Sequence, residues 1–507
     1  MKSKWILTFI LAVAFLLRVV GLSNYPTGFT PDEASFGYDA FSMIHTGKDQ
    51  WGQSFPLVFK SFGDYKAPVY AYLTMPSVAI FGLNKFSVRL PNALIGVAAV
   101  YVIYLLVEQL LKTVGSSHVV GSNSKPSTHY SVLTGLVASL LLAVSPWHIM
   151  MSRGAFEANL ITFFLPLGIY LFLKDKYYWS MVVLGLNMFT YHSAKLITPL
   201  IIVMLFIFFR EKFSKKLINP LLVFGLFLML TVFTVTQGSA ARIAERSITQ
   251  GALEDGAKTK IELIQNGMNP ILARALHNKY QVVANRFITN YKQYFSLKFL
   301  ITSGPAETTY GMMKGLGVLS YLEIFGILSF IYFWKNYKSN KAIYFLIAWL
   351  LIAPIPASLA TGVGYSANRA ESMVPVFQMI AGIGIYYFLI SVSKSKIILS
   401  TIFLFGLSLF LQKYIYQSPK LLADGMLEGN LEKASKYIEL SKKYDEVLVP
   451  RTLSEPHIYI AFVGKIDPTF YQSQSKNWDL EGRKVNWVDQ IPEYKLGKFT
   501  FKNVEKE

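Results

Sequence analysis

Two adjacent carboxylates, Asp32 and Glu33, stand in the run Thr30-Pro31-Asp32-Glu33-Ala34, just beyond the first hydrophobic segment. Acids at the mouth of a membrane helix are costly unless they are solvated or used, so they are functional candidates. A plain solvated loop is the other reading. The same stretch carries Tyr38-Asp39, then Phe62-Gly63-Asp64-Tyr65-Lys66-Ala67-Pro68, then Ser87-Val88-Arg89-Leu90-Pro91. A carboxylate here could take a proton from an acceptor hydroxyl. Lys66 and Arg89, with Arg18 near the same surface, could neutralise a phosphate leaving group as charge develops on it. Against that, Lys66, Lys85 and Arg89 could simply snorkel to lipid headgroups.

Similar groups recur further on. Ser152-Arg153 is followed by Glu157, an i,i+4 spacing that reads as a local ion pair. Tyr191-His192-Ser193-Ala194-Lys195 and Asn368-Arg369-Ala370-Glu371 mark two more polar turns. The seven histidines are scattered, so a histidine metal site is not expected, and no metal ligand is assigned; a carboxylate-bound divalent cation stays open. The chain has no cysteine, which excludes thiolate catalysis and disulfides.

The elements that position these groups are hydrophobic. Of 507 residues 53% are hydrophobic and 16% charged, with mean hydropathy +0.38; a soluble domain carries roughly 25% charged residues. Apolar runs long enough to span a bilayer make this an all-α polytopic membrane protein, with about eleven transmembrane helices. The spans fall near 5–22, 90–111, 131–149, 157–173, 177–192, 195–209, 218–236, 313–334, 342–360, 370–390 and 396–413. Lys2 and Lys4 precede the first, which lacks a small-x-small cleavage site and reads as an uncleaved anchor. Placing the N-terminus in the cytoplasm puts the short Lys/Arg-rich loops inside, as the positive-inside rule requires. The run 69–83, short and broken by Pro76, is then a helix on the outer surface.

Three outward pieces follow: the loop 23–89, the loop 237–312 and the segment 414–507. The last carries a helical stretch (431–444) and β-like runs at 447–449, 458–462 and 499–501. It therefore reads as a small extracytoplasmic α/β domain after a catalytic membrane domain 1–413. Gly121-Ser122-Asn123-Ser124 reads as a flexible cytoplasmic turn. The net charge of +19 punctuates the hydrophobic runs, which points to a membrane surface and an anionic substrate rather than nucleic acid. No cytoplasmic loop has a P-loop or Gly-rich strand-to-helix turn. An enzyme here would work on the outer face of the cell membrane, with an activated donor carried by the membrane itself.

In order, Arg18, Asp32-Glu33, Tyr65-Lys66-Ala67-Pro68, Phe81-Gly82 and Val88-Arg89-Leu90-Pro91 resemble the GT-C glycosyltransferases of the protein O-mannosyltransferase and aminoarabinose transferase superfamily. The similarity is strongest over 10–110 and continues weakly through Ser152-Arg153 and Arg369 to Pro375. It implies a polyprenyl-phosphate sugar donor, a mannose-like hexose by analogy, and inverting transfer to a glycan, lipid or protein acceptor. It implies Asp32 as the base with Glu33 its partner, and Lys66 at the lipid phosphate beside Tyr65, helped by Arg89, Arg18, Arg153 and Arg369. Tyr38, Asp39 and Asp64 are then candidates for the acceptor side. Loop 237–312 is too short for the trefoil domain that protein O-mannosyltransferases insert there, which weighs against a protein acceptor. One base and one cationic phosphate site suffice for a single inverting displacement. The rival reading is a transporter or flippase of an anionic glycolipid. Transporters, however, gather polar groups near the midplane of repeated halves, and here they crowd the outer rim.

Overall fold

The computed structural model describes all residues except 1, 64, 114–127, 214, 237–246, 337, 339, 362–365, 481 and 504–507. Asp64 and the turn at Gly121 to Ser124 lie outside the described residues.

The architecture is helical. Helix α1 (Lys2–Val19) is followed by α2 (Pro31–Thr46), a two-stranded ribbon of β1 (Phe59–Lys60) and β2 (Tyr65–Lys66), then α3 (Pro68–Phe81) and α4 (Lys85–Thr113). Five described helices are long and apolar enough to cross a membrane: Lys85–Thr113, Lys215–Thr234, Lys341–Ser358, Asn368–Ser391 and Ser395–Leu422. His129–Val144 and Pro146–Ser152 together are also long and apolar enough but are bent by 57° at their junction, the geometry of a broken span or a re-entrant loop. The chain is a multi-pass membrane protein. Of the other runs read as spans, the first carries α1, 18 residues long but with three charged residues, and the rest carry shorter helices, so length and composition do not bear out a count of eleven. The run 313–334 is helical only over Tyr321–Tyr332. Gly311 and Gly315 take left-handed backbone, which glycine alone adopts at no steric cost, and so hold the preceding chain in turns.

The bend at Pro146 has a local cause. Proline cannot donate to the ladder, so carbonyls at the end of the preceding helix lose their partners. Arg18 takes two of them, at Leu142 (3.0 Å) and Ala143 (2.9 Å), and also meets His148 Nδ1 at 2.8 Å.

The last apolar helix is α-helical over Ser395–Gln412 and continues through a π-helical turn, Lys413–Gln417, to Leu422. Beyond it lie helix Asn430–Leu440 and a three-stranded sheet of order β3-β5-β4, with β3 (Val447–Pro450) parallel and β4 (Glu493–Leu496) antiparallel to β5 (Phe499–Lys502). The apolar run 458–462, expected as a strand, is instead in helix Pro456–Gly464. Pro456 opens that helix, its fixed φ suiting the first turn. Every residue from Pro456 to Phe462 is buried, so the run shows no alternation of faces.

This segment does not stand apart from the first loop. Phe29, Phe36, Tyr38 and Tyr70 share one apolar core with Tyr459, Phe462, Tyr471 and Phe501. Hydrogen bonds reinforce the contact, from Tyr459 Oη to the Phe29 carbonyl (2.5 Å), Tyr38 Oη to the Ile466 carbonyl (2.9 Å) and the Val488 amide to the Phe62 carbonyl (2.7 Å). Gly37 lies where α2 meets α4 and helix Pro456–Gly464: a Cβ there would stand 2.5 Å from Val88 Cγ2 and 2.7 Å from Phe462 Cε2.

Candidate active site

Pro31 at the first helical turn fixes where α2 starts, and Thr30 caps it. The Thr30 hydroxyl accepts from the Glu33 amide while the Glu33 carboxylate accepts from the Thr30 amide, a reciprocal capping box. That box turns the two acids in opposite directions. Glu33 points inward and is fully buried. Its Oε1 accepts from Arg89 Nε (2.7 Å) and the Ala155 amide (3.1 Å), and its Oε2 from Arg89 Nη2 (3.0 Å) and the Thr30 amide (3.0 Å). Arg89 spends its remaining donors on the carbonyls of Leu22 (3.3 Å), Pro26 (2.8 Å) and Gly28 (3.0 Å). The expectation for Arg89 is a place at the donor phosphate; the structure instead holds it in a buried clamp that ties the first loop to α4.

Asp32 points the other way. Its side chain is 38% exposed and its Oδ1 lies 2.9 Å from Lys66 Nζ, whose side chain is 3% exposed. Lys66 is placed by the ribbon, where β2 pairs antiparallel with β1. Its ammonium also donates to the Asp32 carbonyl (3.3 Å) and sits 4.7 Å from the Phe36 ring centre and 5.0 Å from that of Phe62. Aromatic faces attract a cation and keep water from it. The result is a buried ammonium with one partly exposed carboxylate on it.

Beside Lys66 lies a small recess, lined by Lys195, His192, Phe189, Val58 and Thr234 among others. His192 Nε2 is 3.1 Å from the Tyr65 carbonyl, which ties this wall to β2. Lys195 is half-buried and has no hydrogen-bond or ion-pair partner among the described residues. Glu157 lies within electrostatic reach of Asp32 and Lys66. The turn bearing Glu157 packs on the one bearing Arg369. Sequence spacing pairs Glu157 with Arg153, but the Arg153 guanidinium donates to the carbonyls of Leu17, Val20 and Tyr25 and forms no ion pair with Glu157 among the described residues. Lys195 stands in a polar turn with nothing in the sequence linking it to Lys66.

The remaining candidates take other places. Arg153 caps α1, donating to the carbonyls of Leu17 (2.7 Å), Val20 (2.8 Å) and Tyr25 (3.2 Å). A cation is favoured at a helix C-terminus, where the last carbonyls carry partial negative charge. Arg18 turns both Nη groups to the Pro146 bend and the Ala14 carbonyl, while its Nε is buried without a partner. Arg369 donates to the Thr361 carbonyl (2.8 Å) and lies near Tyr191 and Glu307. Tyr38 and Asp39 do not face an open acceptor side. They lie on the face of α2 that packs under the C-terminal segment, where Tyr38 is buried. Asp39, also buried, accepts from the Gln50 amide (3.0 Å) and Nε2 (3.1 Å). Burial and the neighbouring Asp49 push the Asp39 carboxyl well above the usual range, since both disfavour the charged form.

No curated protein matches the chain in sequence. Residues 65–120 match the family model described as dolichyl-phosphate-mannose-protein mannosyltransferase. Among solved structures, ArnT from Cupriavidus metallidurans bound to undecaprenyl phosphate superposes with a TM-score of 0.53 at 11% identity, over 97% of this chain and 91% of that one. The archaeal oligosaccharyltransferase AglB from Archaeoglobus fulgidus, in complex with an inhibitory peptide and a dolichol-phosphate, gives 0.47 at 13% identity, over 87% and 59%. The chain therefore has the GT-C fold, and its stretch from Lys66 through α4 is similar to the protein mannosyltransferases.

Proposed function

We propose that this protein is an inverting glycosyltransferase that moves a sugar from a polyprenyl-phosphate donor to an acceptor hydroxyl on the extracytoplasmic face of the cell membrane. The Asp32–Lys66 pair beside the recess carries the reading. Asp32 is the one acid of the Asp32-Glu33 pair with solvent access, and it takes the acceptor proton as the new bond forms. Lys66, desolvated and fixed by two rings, neutralises the phosphate as the glycosidic oxygen leaves. Lys195, across the recess, supplies a second positive charge for the same phosphate. The two roles are coupled. In the absence of donor Lys66 neutralises Asp32; a bound phosphate competes for the ammonium and frees the carboxylate to act as a base. Glu33 and Arg89 position this centre without touching substrate. The undecaprenyl phosphate in ArnT and the family match over 65–120 support a lipid-phosphate donor, with mannose the first sugar to try.

The test uses purified protein in detergent with polyprenyl-phosphate mannose and glucose, each labelled in the sugar, with and without membrane extract. Release of polyprenyl phosphate that needs extract and disappears in Asp32→Asn is the expected result. No release with either donor, together with protein-dependent movement of the lipid across liposomes, would replace the transferase by a flippase.

A further inference from the structure

A second polar cluster lies in the C-terminal segment, and its reading is independent of the transferase assignment. One ligand atom from each of Glu455, His457 and Asp489 lies within 4.8 Å of the other two. Glu455 precedes helix Pro456–Gly464, His457 is in its first turn, and Asp489 belongs to the turn Val488–Gln490. His457 is fully buried and Glu455 is 7% exposed. Asp489 accepts from the Glu455 amide (3.0 Å) and the Tyr494 hydroxyl (3.3 Å), and the same hydroxyl is 3.1 Å from His457 Nδ1.

Glu455 Oε2, 4.0 Å from His457 Nδ1, is buried with no hydrogen-bond partner. A buried carboxylate oxygen without a partner is expensive. The nearby cations do not relieve it: Arg451 and Lys66 exert their fields on Glu455, yet among the described residues neither forms an ion pair with it or with Asp489.

We propose that Glu455, His457 and Asp489 bind one divalent cation of the zinc class. One imidazole nitrogen and two carboxylates form a donor set that zinc accepts, and three protein ligands leave a fourth position open. The site is next to the Asp32–Lys66 centre but separate from it. Phe62 stands between them, with His457 at 6.2 Å between ring centres and Lys66 Nζ at 5.0 Å. A cation there would lock the C-terminal segment to the first loop through Val488 and Phe62.

The experiment uses full-length protein in detergent, stripped with chelator, then returned to Zn2+ or Mg2+ and washed. Metal content per chain and melting temperature are read for the wild type, His457→Ala, Glu455→Gln and Asp32→Asn. The expected result is one retained zinc per chain, with a higher melting temperature, in the wild type and Asp32→Asn. Glu455→Gln, nearly isosteric and so expected to fold, should weaken zinc retention about tenfold or more, and His457→Ala should abolish it. Absence of stoichiometric zinc in the wild type, equal retention in Glu455→Gln, loss in Asp32→Asn, or an equal melting shift with Mg2+ would each overturn the site.

Discussion

Replacing Glu33 by Gln separates a positioning acid from a reacting one. The substitution keeps the shape but sets an amide NH2 where one carboxylate oxygen stood. Each of those oxygens accepts from one Arg89 nitrogen and one backbone amide, so either orientation of the amide places donors against two donors. Arg89, fully buried, keeps its charge and loses its counterion. Breaking a buried pair in this way costs about 3–5 kcal/mol, a large part of the roughly 5–15 kcal/mol that typically holds a domain together. Asp32→Asn is different in kind. The Asp32 side chain is 38% exposed, so an Asn oxygen can still accept from Lys66 and water screens the lost charge. Lys66, 3% exposed, still loses its counterion, so the stability cost is about 1–3 kcal/mol, smaller than that of Glu33→Gln. Its turnover, however, should fall by about 10²–10⁴, the usual contribution of a general base. Melting curves in detergent and label transfer from the same preparations give both quantities. Glu33→Gln should melt well below the wild type with its remaining folded fraction active, while Asp32→Asn should melt between the two and be nearly inactive. A Glu33→Gln protein of unchanged stability but no turnover, or an active Asp32→Asn, would refute the division of roles.

The phosphate site predicts a graded lysine series. Lys66→Ala and Lys195→Ala should each lower kcat/KM for donor by roughly 10- to 100-fold, the worth of one charged hydrogen bond, while Lys85→Ala changes it little; equal losses for all three would mean that the lysines only anchor to lipid. The turn after α2 predicts a pH slope. Burial lifts the Asp49 carboxyl from 3.8 to about 6, so the folded state holds that proton more tightly than the unfolded chain. The stability it lends is present below about pH 4 and is lost as pH rises through about 6. Asp49→Asn should flatten that fall in melting temperature between about pH 4 and 6, and an unchanged slope would exclude Asp49 as its source. Finally, Gly37→Ala drives a methyl into Val88 and Phe462 and should cost about 1–3 kcal/mol by overpacking. Limited proteolysis should then cut the C-terminal segment faster; wild-type resistance would show that its seat on the first loop is looser than the packing implies.

What could be read from the chain alone was local chemistry and hydrophobic length. Asp32 and Lys66 draw notice because charged groups are costly at a membrane edge, and the fold does bring them within 2.9 Å. The arginines draw the same notice for the same reason, yet Arg18, Arg89 and Arg153 serve helix ends and loop carbonyls. A guanidinium offers five donors in a rigid fork, and the bend at Pro146, the end of α1 and the loop 22–28 supply carbonyls for most of them, though Arg18 Nε stays unpaired. Residue type cannot separate a phosphate ligand from a carbonyl clamp; only the count of donors left free does so, and that count is a tertiary fact. The same limit hid the places of Glu157 and Lys195 beside Lys66, and the Glu455–His457–Asp489 cluster, whose members meet only when the turn at Asp489 folds back onto Glu455. Helix Pro456–Gly464 shows why that return was hard to foresee. Buried on all sides, it carries no periodicity, and its partners come from the opposite end of the chain, as Tyr459 does in bonding to the Phe29 carbonyl. Such a core can form only when both ends of the chain are in place, so a substitution at Gly37 or Phe462 should disturb the candidate site as surely as one inside it.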